Sequence, residues 1–287
     1  MYILKFVYDD LKSRHQSYLV YKLKLQLNNR LNDDEEENEW QFEIYRFLLA
    51  KKWNTIQTIT SILAMIQWRI DNHIDIILND QSVISRIELF EKLVPTAFHG
   101  HTKAYQPLYI EKTDQMNVDE ILKTFTIEEM IQGDIYGLEY NCQQARDFSR
   151  QLRQHIETFA IIYDLNGMKL DIKKLLHSCK EIFYIDENYY PERLGQTFVL
   201  NPPTVFPVIW DMIKHFLDPV TKTKILVLKK GHETTETSLE YIDSEELPCE
   251  YGGNCHSYST SPDCLPNINQ PKLLRYLLKY HSFIVLN

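Results

Sequence analysis

The sequence predicts an α/β fold with a mostly parallel sheet, and three observations carry that reading. Short, almost unbroken apolar runs occur at "TFAIIYD" (158–164), "TFVLN" (197–201) and "KILVL" (224–228). Stretches with helical spacing lie between them, and turn residues such as Asn166-Gly167 and Pro202-Pro203 close the first two runs. A continuous apolar run of strand length marks a strand covered on both faces, as in parallel sheets. Strands that alternate with helices then need crossover connections.

Along the chain, residues 1–32 allow two readings. "YLVYKLKLQL" (18–27) alternates like a strand, while its length and flanks also suit a helix. The acidic run Asp33–Glu39 reads as a solvated turn or loop. From Trp40 to Leu78 the spacing of Phe47, Ile56, Ile59, Ile62, Leu63 and Ile66 is helical. The character changes after Leu93-Val94-Pro95; Pro107–Glu111 reads as a short strand, Ile121–Ser149 as helices and Leu175–Phe183 as a further helix. Asn254–Gln270 is rich in Ser, Pro and Asn and reads as a loop. The final "PKLLRYLLKYHSFIVLN" suits an amphipathic helix that packs back on the body or touches a membrane surface.

The totals exclude several functions. A length of 287 residues is ample for a large core. A net charge of −9 argues against nucleic acid, which calls for a basic face. Only 8 glycines and no Gly-rich phosphate loop argue against a nucleotide site. No serine-hydrolase elbow, zinc-protease helix or cysteine-phosphatase loop is present. Cys249, Cys255, His256 and Cys264 match no standard zinc spacing and read, with Cys142 and Cys179, as free thiols of a reducing, cytoplasmic compartment. His99 and His101 read as solvated loop residues. "MYILKFVY" is stopped by Asp9 and Asp10, so it is not read as a signal peptide, and no run of 18 apolar residues spans a membrane. The expectation is a protein without enzyme activity, metal or cofactor.

One helix is unusual. After Pro202-Pro203, Thr204 is the expected N-cap, and Pro207 falls in the first turn. In "VFPVIWDMIKHFL" (205–217) only Asp211, Lys214 and His215 are polar, so burial nearly all round is expected. Either it is a central core helix, or one face lies on protein and the other on lipid. Lys222, Lys224, Lys229, Lys230 and His232 follow it as a basic cluster.

"ENYYPERLGQTFVLNPPTVFPVIWDMIKHFLDPVTKTKILVL", followed by "ELPCEYGG", resembles the CRAL-TRIO lipid-binding domain, most of all the branch containing the secretory phosphatidylinositol transfer proteins. "YRFLLAKKW" through "MIQWR" resembles the helical region that precedes it. The resemblance implies an unmatched segment at 1–39, a helical region at 40–94, the lipid-binding domain at 95–253 and a variable tail at 254–287. It implies a mixed, mostly parallel sheet that floors a hydrophobic pocket for one phospholipid, under a gate helix with Phe206, Ile209, Trp210, Ile213 and Phe216. The implied activity is exchange of phosphatidylinositol and other lipids during transient contact with Golgi or endosomal membranes, and presentation of phosphatidylinositol to lipid kinases.

Site residues follow from the matching blocks. Glu192 in "YYPERLG" corresponds to the family's inositol-binding carboxylate, with Arg193 beside it. Thr221 and Lys224 in "DPVTKTK" stand for the phosphate and ring, and Lys51 and Lys52 for the family's basic pair. The choline-phospholipid site departs from the pattern: Phe159, Ile161 and Phe98 stand where hydroxyls are usual, and Tyr109 alone keeps one. Each lost hydrogen bond costs about 1 kcal/mol, so weakened phosphatidylcholine binding is expected. The usual Asp-Gly-Arg turn is here Ala104-Tyr105-Gln106. A carrier of a sterol, neutral lipid or haem-like ligand, and a lipid-sensing adaptor, are the competing expectations.

Overall fold

The computed structural model describes residues 33–113 and 116–255. The readings made for residues 1–32 and for the tail from His256 onward lie outside it. Two compact units result: one takes the described residues up to Ile77 together with Glu181–Arg193, the other Leu78–Lys180 and the described residues from Leu194 on.

The first unit is built on α1 (Asp33–Ala50) and α2 (Thr55–Asp71). Ile44, Phe47, Leu48, Ile62, Met65 and Ile66 form its core. The acidic run expected as a loop is the start of α1. Lys52 and Trp53 both adopt left-handed backbone (φ 50° and 63°), and Asn54 caps α2 by accepting from Gln57 N at 3.1 Å.

The second unit holds one five-stranded sheet in chain order: β1 (Thr96–His101), β2 (Pro107–Lys112), β3 (Phe159–Asp164), β4 (Leu194–Leu200) and β5 (Ile225–Leu228). β1 runs antiparallel to β2; the other pairs are parallel. Helices supply the connections: α3 (Gln81–Phe90) before the sheet, α4 (Val118–Thr124) and α5 (Ile127–Leu152) between β2 and β3, and α6 (Leu176–Tyr189) between β3 and β4. α7 (Phe206–Ile213) and α8 (Pro219–Thr223) precede β5, and α9 (His232–Tyr241) follows it. Thr126 and Glu129 start α5 with a reciprocal capping box.

Strand alternation divides the sheet into two unlike faces. On one, Leu108, Ile110, Ala160, Ile162, Phe198 and Leu200 are sealed, at 0–1% exposure, with Leu228, Ile242, Leu247 and Tyr251 packed among them. Gly253 is required here, since a Cβ would stand 1.9 Å from the Leu247 carbonyl oxygen. Asp164 locks the end of this face. It accepts from Asn201 Nδ2 at 2.8 Å, from the Tyr251 hydroxyl at 3.2 Å and from Asn166 N at 3.1 Å. Three sequence blocks, "TFAIIYD", "TFVLN" and "LPCEYGG", therefore meet at one buried carboxylate.

Four expectations need correction. β3 is not covered on both faces: Ala160 and Ile162 are sealed, but Ile161 and Tyr163 stay half-buried. β5 is an edge strand, and Val227 is 43% exposed. His99 is not solvated but buried on β1, with Nε2 2.8 Å from the Glu246 carbonyl, while His101 is half-buried against Tyr105. The apolar helix is shorter than expected and begins after Val205, with no side-chain cap from Thr204; Phe206 and Ile209 are buried, yet Val208 is 49% exposed. It is not buried all round.

Candidate functional site

The sheet's second face is the place where sequence and structure disagree most. Its residues form rows across the strands. Phe98, Tyr109, Ile161, Thr197 and Ile225 are register neighbours from β1 to β5, and Thr96, Glu111, Tyr163, Val199 and Val227 form a second row. Phe98, Tyr109, Glu111, Ile161, Tyr163 and Ile225 stay half-buried, most of them on inner strands, while Thr96, Thr197 and Val199 of the same rows are buried. Residues at such positions are ordinarily closed off.

Helices border this face. On the β1 side, Tyr140 of α5 packs on Phe98 with ring centroids 4.1 Å apart, and Phe98 meets Tyr109 at 5.1 Å. On the β4 side, Phe206 of α7 packs with Leu165 and Val199, and Trp210 lies against the same cluster with Tyr163 and Ile225. The structure brings Phe98, Tyr109 and Ile161 together as consecutive members of one row, with Phe159 two residues along β3 and buried. The remaining Tyr109 hydroxyl is engaged with Thr96.

Two acids on this side of the sheet went unnoticed in the sequence. Glu111 follows Tyr109 by two residues, so it shares its face. Burial pushes its carboxyl up to about 7, helped by the nearby charge of Asp134 on α5. Burial likewise raises Asp134 to about 7. In the unfolded chain both ionise near the ordinary carboxylate value of about 4. The folded state therefore binds more protons between about pH 4 and 7, and stability falls as pH rises through that window. Melting temperatures at pH 5 and pH 8 test this. The wild type should lose more stability between them than Glu111→Gln, which has no carboxyl to ionise; equal losses would contradict it.

The other sequence-derived residues fall in both units. In the first, Lys51 and Lys52 follow the end of α1, and Glu192 adopts left-handed backbone with φ 57°. A non-glycine residue held there carries roughly 1 kcal/mol or more of strain, the kind of outlier found at ligand sites. Arg193 donates to Glu43 Oε2 at 3.1 Å, and the same oxygen accepts from the buried Arg46. Glu43 and Arg46 had escaped the sequence reading; a charged pair inside the helical stripe of α1 was the available sign. In the second unit, Thr221 spends its hydroxyl on Asp218, which caps α8, and the Lys224 carbonyl accepts from Thr197 N at 2.9 Å. Of the gate-helix residues, Phe206 and Ile209 face inward, Trp210, Ile213 and Phe216 are half-buried, and Val208 and Val220 present apolar surface to solvent. Among the described residues, no cluster of His, Cys, Asp or Glu could hold a metal, and no helix is long and apolar enough to cross a membrane.

Comparison with known proteins gives concordant findings. A family model described as the CRAL/TRIO domain matches residues 91–253. A phosphatidylinositol/phosphatidylcholine transfer protein of Arabidopsis thaliana, SFH9, is 31% identical over 213 residues, covering 73% of this chain and 36% of that protein. The SEC14 cytosolic factor of Eremothecium gossypii is 32% identical over 212 residues, covering 73% and 68%. The Sec14 cytosolic factor of Schizosaccharomyces pombe is 30% identical over 216 residues, covering 74% of each. The chain thus matches about a third of the plant relative's length and most of the fungal ones. The solved structure of Sfh5 superposes with a TM-score of 0.63 over 99% of this chain and 98% of that one; at 18% identity it bears on the fold alone.

Proposed function

This chain belongs to the CRAL-TRIO family, in its Sec14-like branch, and from that premise we propose that it is a phosphatidylinositol transfer protein exchanging single phospholipids at membrane surfaces. The observation that supports the reading is the unlike pair of sheet faces, one sealed at 0–1% exposure and the other closed at Phe159, Thr197 and Val199 but only half-buried at Phe98, Tyr109, Ile161, Tyr163 and Ile225. Apolar side chains left half-buried there could be covered further by an apolar ligand, at about 0.8 kcal/mol for each CH₂ removed from water.

The same magnitude constrains the mechanism. Two acyl chains carry about 30 CH₂ groups, so release into water would cost roughly 25 kcal/mol. Exchange has to take place against a bilayer, where the apolar environments on both sides nearly cancel. In this reading α7 is the gate: Phe206 and Ile209 hold it to the protein, and Val208 at 49% exposure offers apolar surface to the lipid. Lys51, Lys52, Glu192, Arg193, Thr221 and Lys224 are assigned singly as headgroup residues, with the Glu43 contact making Arg193 the brace of the Glu192 turn. Residues 95–253 then serve as the lipid-binding domain and 40–94 as its helical lead-in. The finer parts of the proposal are weakened phosphatidylcholine binding, presentation of phosphatidylinositol to lipid kinases, and a cytoplasmic protein that visits Golgi or endosomal membranes. Phe159 and Ile161 also favour a second reading, a carrier for a less polar ligand such as a sterol.

Transfer of labelled phosphatidylinositol between liposomes, with mass spectrometry of co-purified lipid, tests the proposal. Losing a charged hydrogen-bond partner costs about 1.5–3 kcal/mol, so Glu192→Ala or Lys224→Ala should cut transfer at least tenfold at an unchanged melting temperature. Unaltered transfer in both variants would overturn the headgroup assignment. No phosphatidylinositol transfer by the wild type, with no phospholipid co-purified, would overturn the function.

A further inference from the structure

We propose that the turn joining α1 to α2 is a docking surface for an anionic membrane, with Trp53 and Ile56 entering its headgroup layer. The inference rests on the lipid-carrier reading and deepens it, by adding a membrane contact in the first unit to the one that reading gives α7.

Four large apolar side chains are exposed within this short stretch. Tyr45 and Leu49 stand one helical turn apart on α1, and both are exposed. Trp53, in the turn, is 49% exposed, and Ile56, in the first turn of α2, is 77% exposed. The rings of Tyr45 and Trp53 meet edge to face with centroids 5.9 Å apart, so the two aromatics share one surface. Single apolar residues at a surface are ordinary, whereas a group of them together marks a contact. The backbone that presents Trp53 is held firmly. The Lys51, Lys52 and Trp53 amides donate to the Phe47, Leu49 and Leu48 carbonyls at 2.9, 3.0 and 2.7 Å, and Asn54 N donates to the Lys51 carbonyl at 3.0 Å. A bulky residue seldom takes the left-handed conformation that Trp53 has. The fold thus keeps a large ring at its surface on a fixed turn.

Charge identifies the occupant. The chain carries a net −9, which an anionic leaflet repels. Between Glu43 and Asp71, however, the sequence holds no acidic residue, and its charged groups there are Arg46, Lys51, Lys52 and Arg69. Glu43 and Asp75 take up the two arginines. The positive charge of the turn is therefore that of Lys51, half-buried, and Lys52, exposed, directly before Trp53. An indole ring next to ammonium groups on long stems suits the boundary of a bilayer, where the ring lies at headgroup depth and the stems reach the phosphates. A second copy of the chain fits less well, since a two-fold contact would set the same lysines against each other. Docking at this turn also brings headgroups to Lys51 and Lys52, the pair assigned above to the lipid headgroup.

Sedimentation of the purified chain with vesicles of phosphatidylcholine alone, and of phosphatidylcholine with one third phosphatidylserine, provides the test. Each lysine near an anionic leaflet is worth about fivefold in affinity, so the anionic vesicles should bind about tenfold more tightly or better. Added salt should reverse that gain. On the anionic vesicles Trp53→Ser should weaken binding about tenfold and Ile56→Ser about fivefold, at unchanged melting temperatures. Ile56 stands far enough out of the packing to be replaced without unfolding, so the test survives a Trp53→Ser variant that fails to fold. Brominated phosphatidylcholine in the vesicles reports depth: it should quench the wild type more than Trp53→Phe, which keeps every other tryptophan. The proposal is overturned if quenching is equal in those two proteins, or if folded Trp53→Ser and Ile56→Ser bind as the wild type does. It is also overturned if light scattering shows a wild-type dimer that Ile56→Ser dissociates, because the patch then belongs to a second copy. Phosphatidylinositol transfer measured on the same samples separates the two ideas. Transfer by the wild type without quenching of Trp53 sinks only this surface, and quenching without any transfer sinks only the carrier reading.

Discussion

Ile162→Ala should cost the fold about 3 kcal/mol, while Ile161→Ala, one residue away in the same strand, should cost about 1 kcal/mol or less. The residues are chemically identical and lie in the middle strand of the sheet. They differ in which face they serve. Ile162 is 0% exposed among Leu108, Ile110, Phe198 and Leu200, where a missing side chain leaves a void that close packing cannot refill. Ile161 is half-buried on the open face, so truncation there removes fewer contacts and leaves no sealed hole. Urea unfolding of the two variants measures the difference. Equal costs would mean that the second face is packed as tightly as the first, and the lipid reading would lose its main support. Ile161→Ala should instead change which lipids co-purify.

Glu43→Ala should destabilise the protein by about 1.5 kcal/mol, the cost of removing a charged hydrogen-bond acceptor from the buried Arg46. Arg46 is 2% exposed within the cluster of Ile44, Phe47 and Leu48, and Glu43 is its acceptor there. Arg193 shares that acceptor at 3.1 Å, so its loss also removes one anchor of the segment that carries Glu192. Pairing Glu43→Ala with Arg46→Met should recover most of the stability, because a well-packed apolar side chain replaces a buried cation that has lost an acceptor. Phosphatidylinositol transfer should stay impaired in the double variant if Arg193 braces Glu192. A loss below about 0.5 kcal/mol for Glu43→Ala would show that the three groups form no more than a surface contact.

Particular residues show how far the sequence could be read. "TFAIIYD", "TFVLN", "KILVL" and "PLYIE" each became a strand at nearly the expected bounds, because a short apolar run between turns has few other ways to satisfy its backbone. β1 was not recognised: "TAFHGH" mixes histidine and glycine with its apolar residues, and its pairing with β2 is a long-range contact. The gate helix was expected to run to Leu217 but ends at Ile213. The blocks that carry the family resemblance proved partly structural, since Asn201 and Tyr251 hold Asp164. Glu111 drew no notice on its own, because one acid at the end of a strand is unremarkable until its neighbours are known.

What the sequence settled by itself was the alternation of helices with the strands from β2 to β5 and the acidic balance of the chain, written in local pattern and composition, and, through its matching blocks, a resemblance to a family of lipid carriers. Which side of each strand is sealed was decided by tertiary structure. Period-two alternation sorts residues into two sets but does not say what covers either one. Only the packing of the segment from Ile242 to Tyr251 on one face, with α5 and α7 bordering the other, made Ile162 core and Ile161 a candidate lipid contact. Burial, too, is a property of the folded chain, and it is what raises the Glu111 and Asp134 carboxyls to about 7.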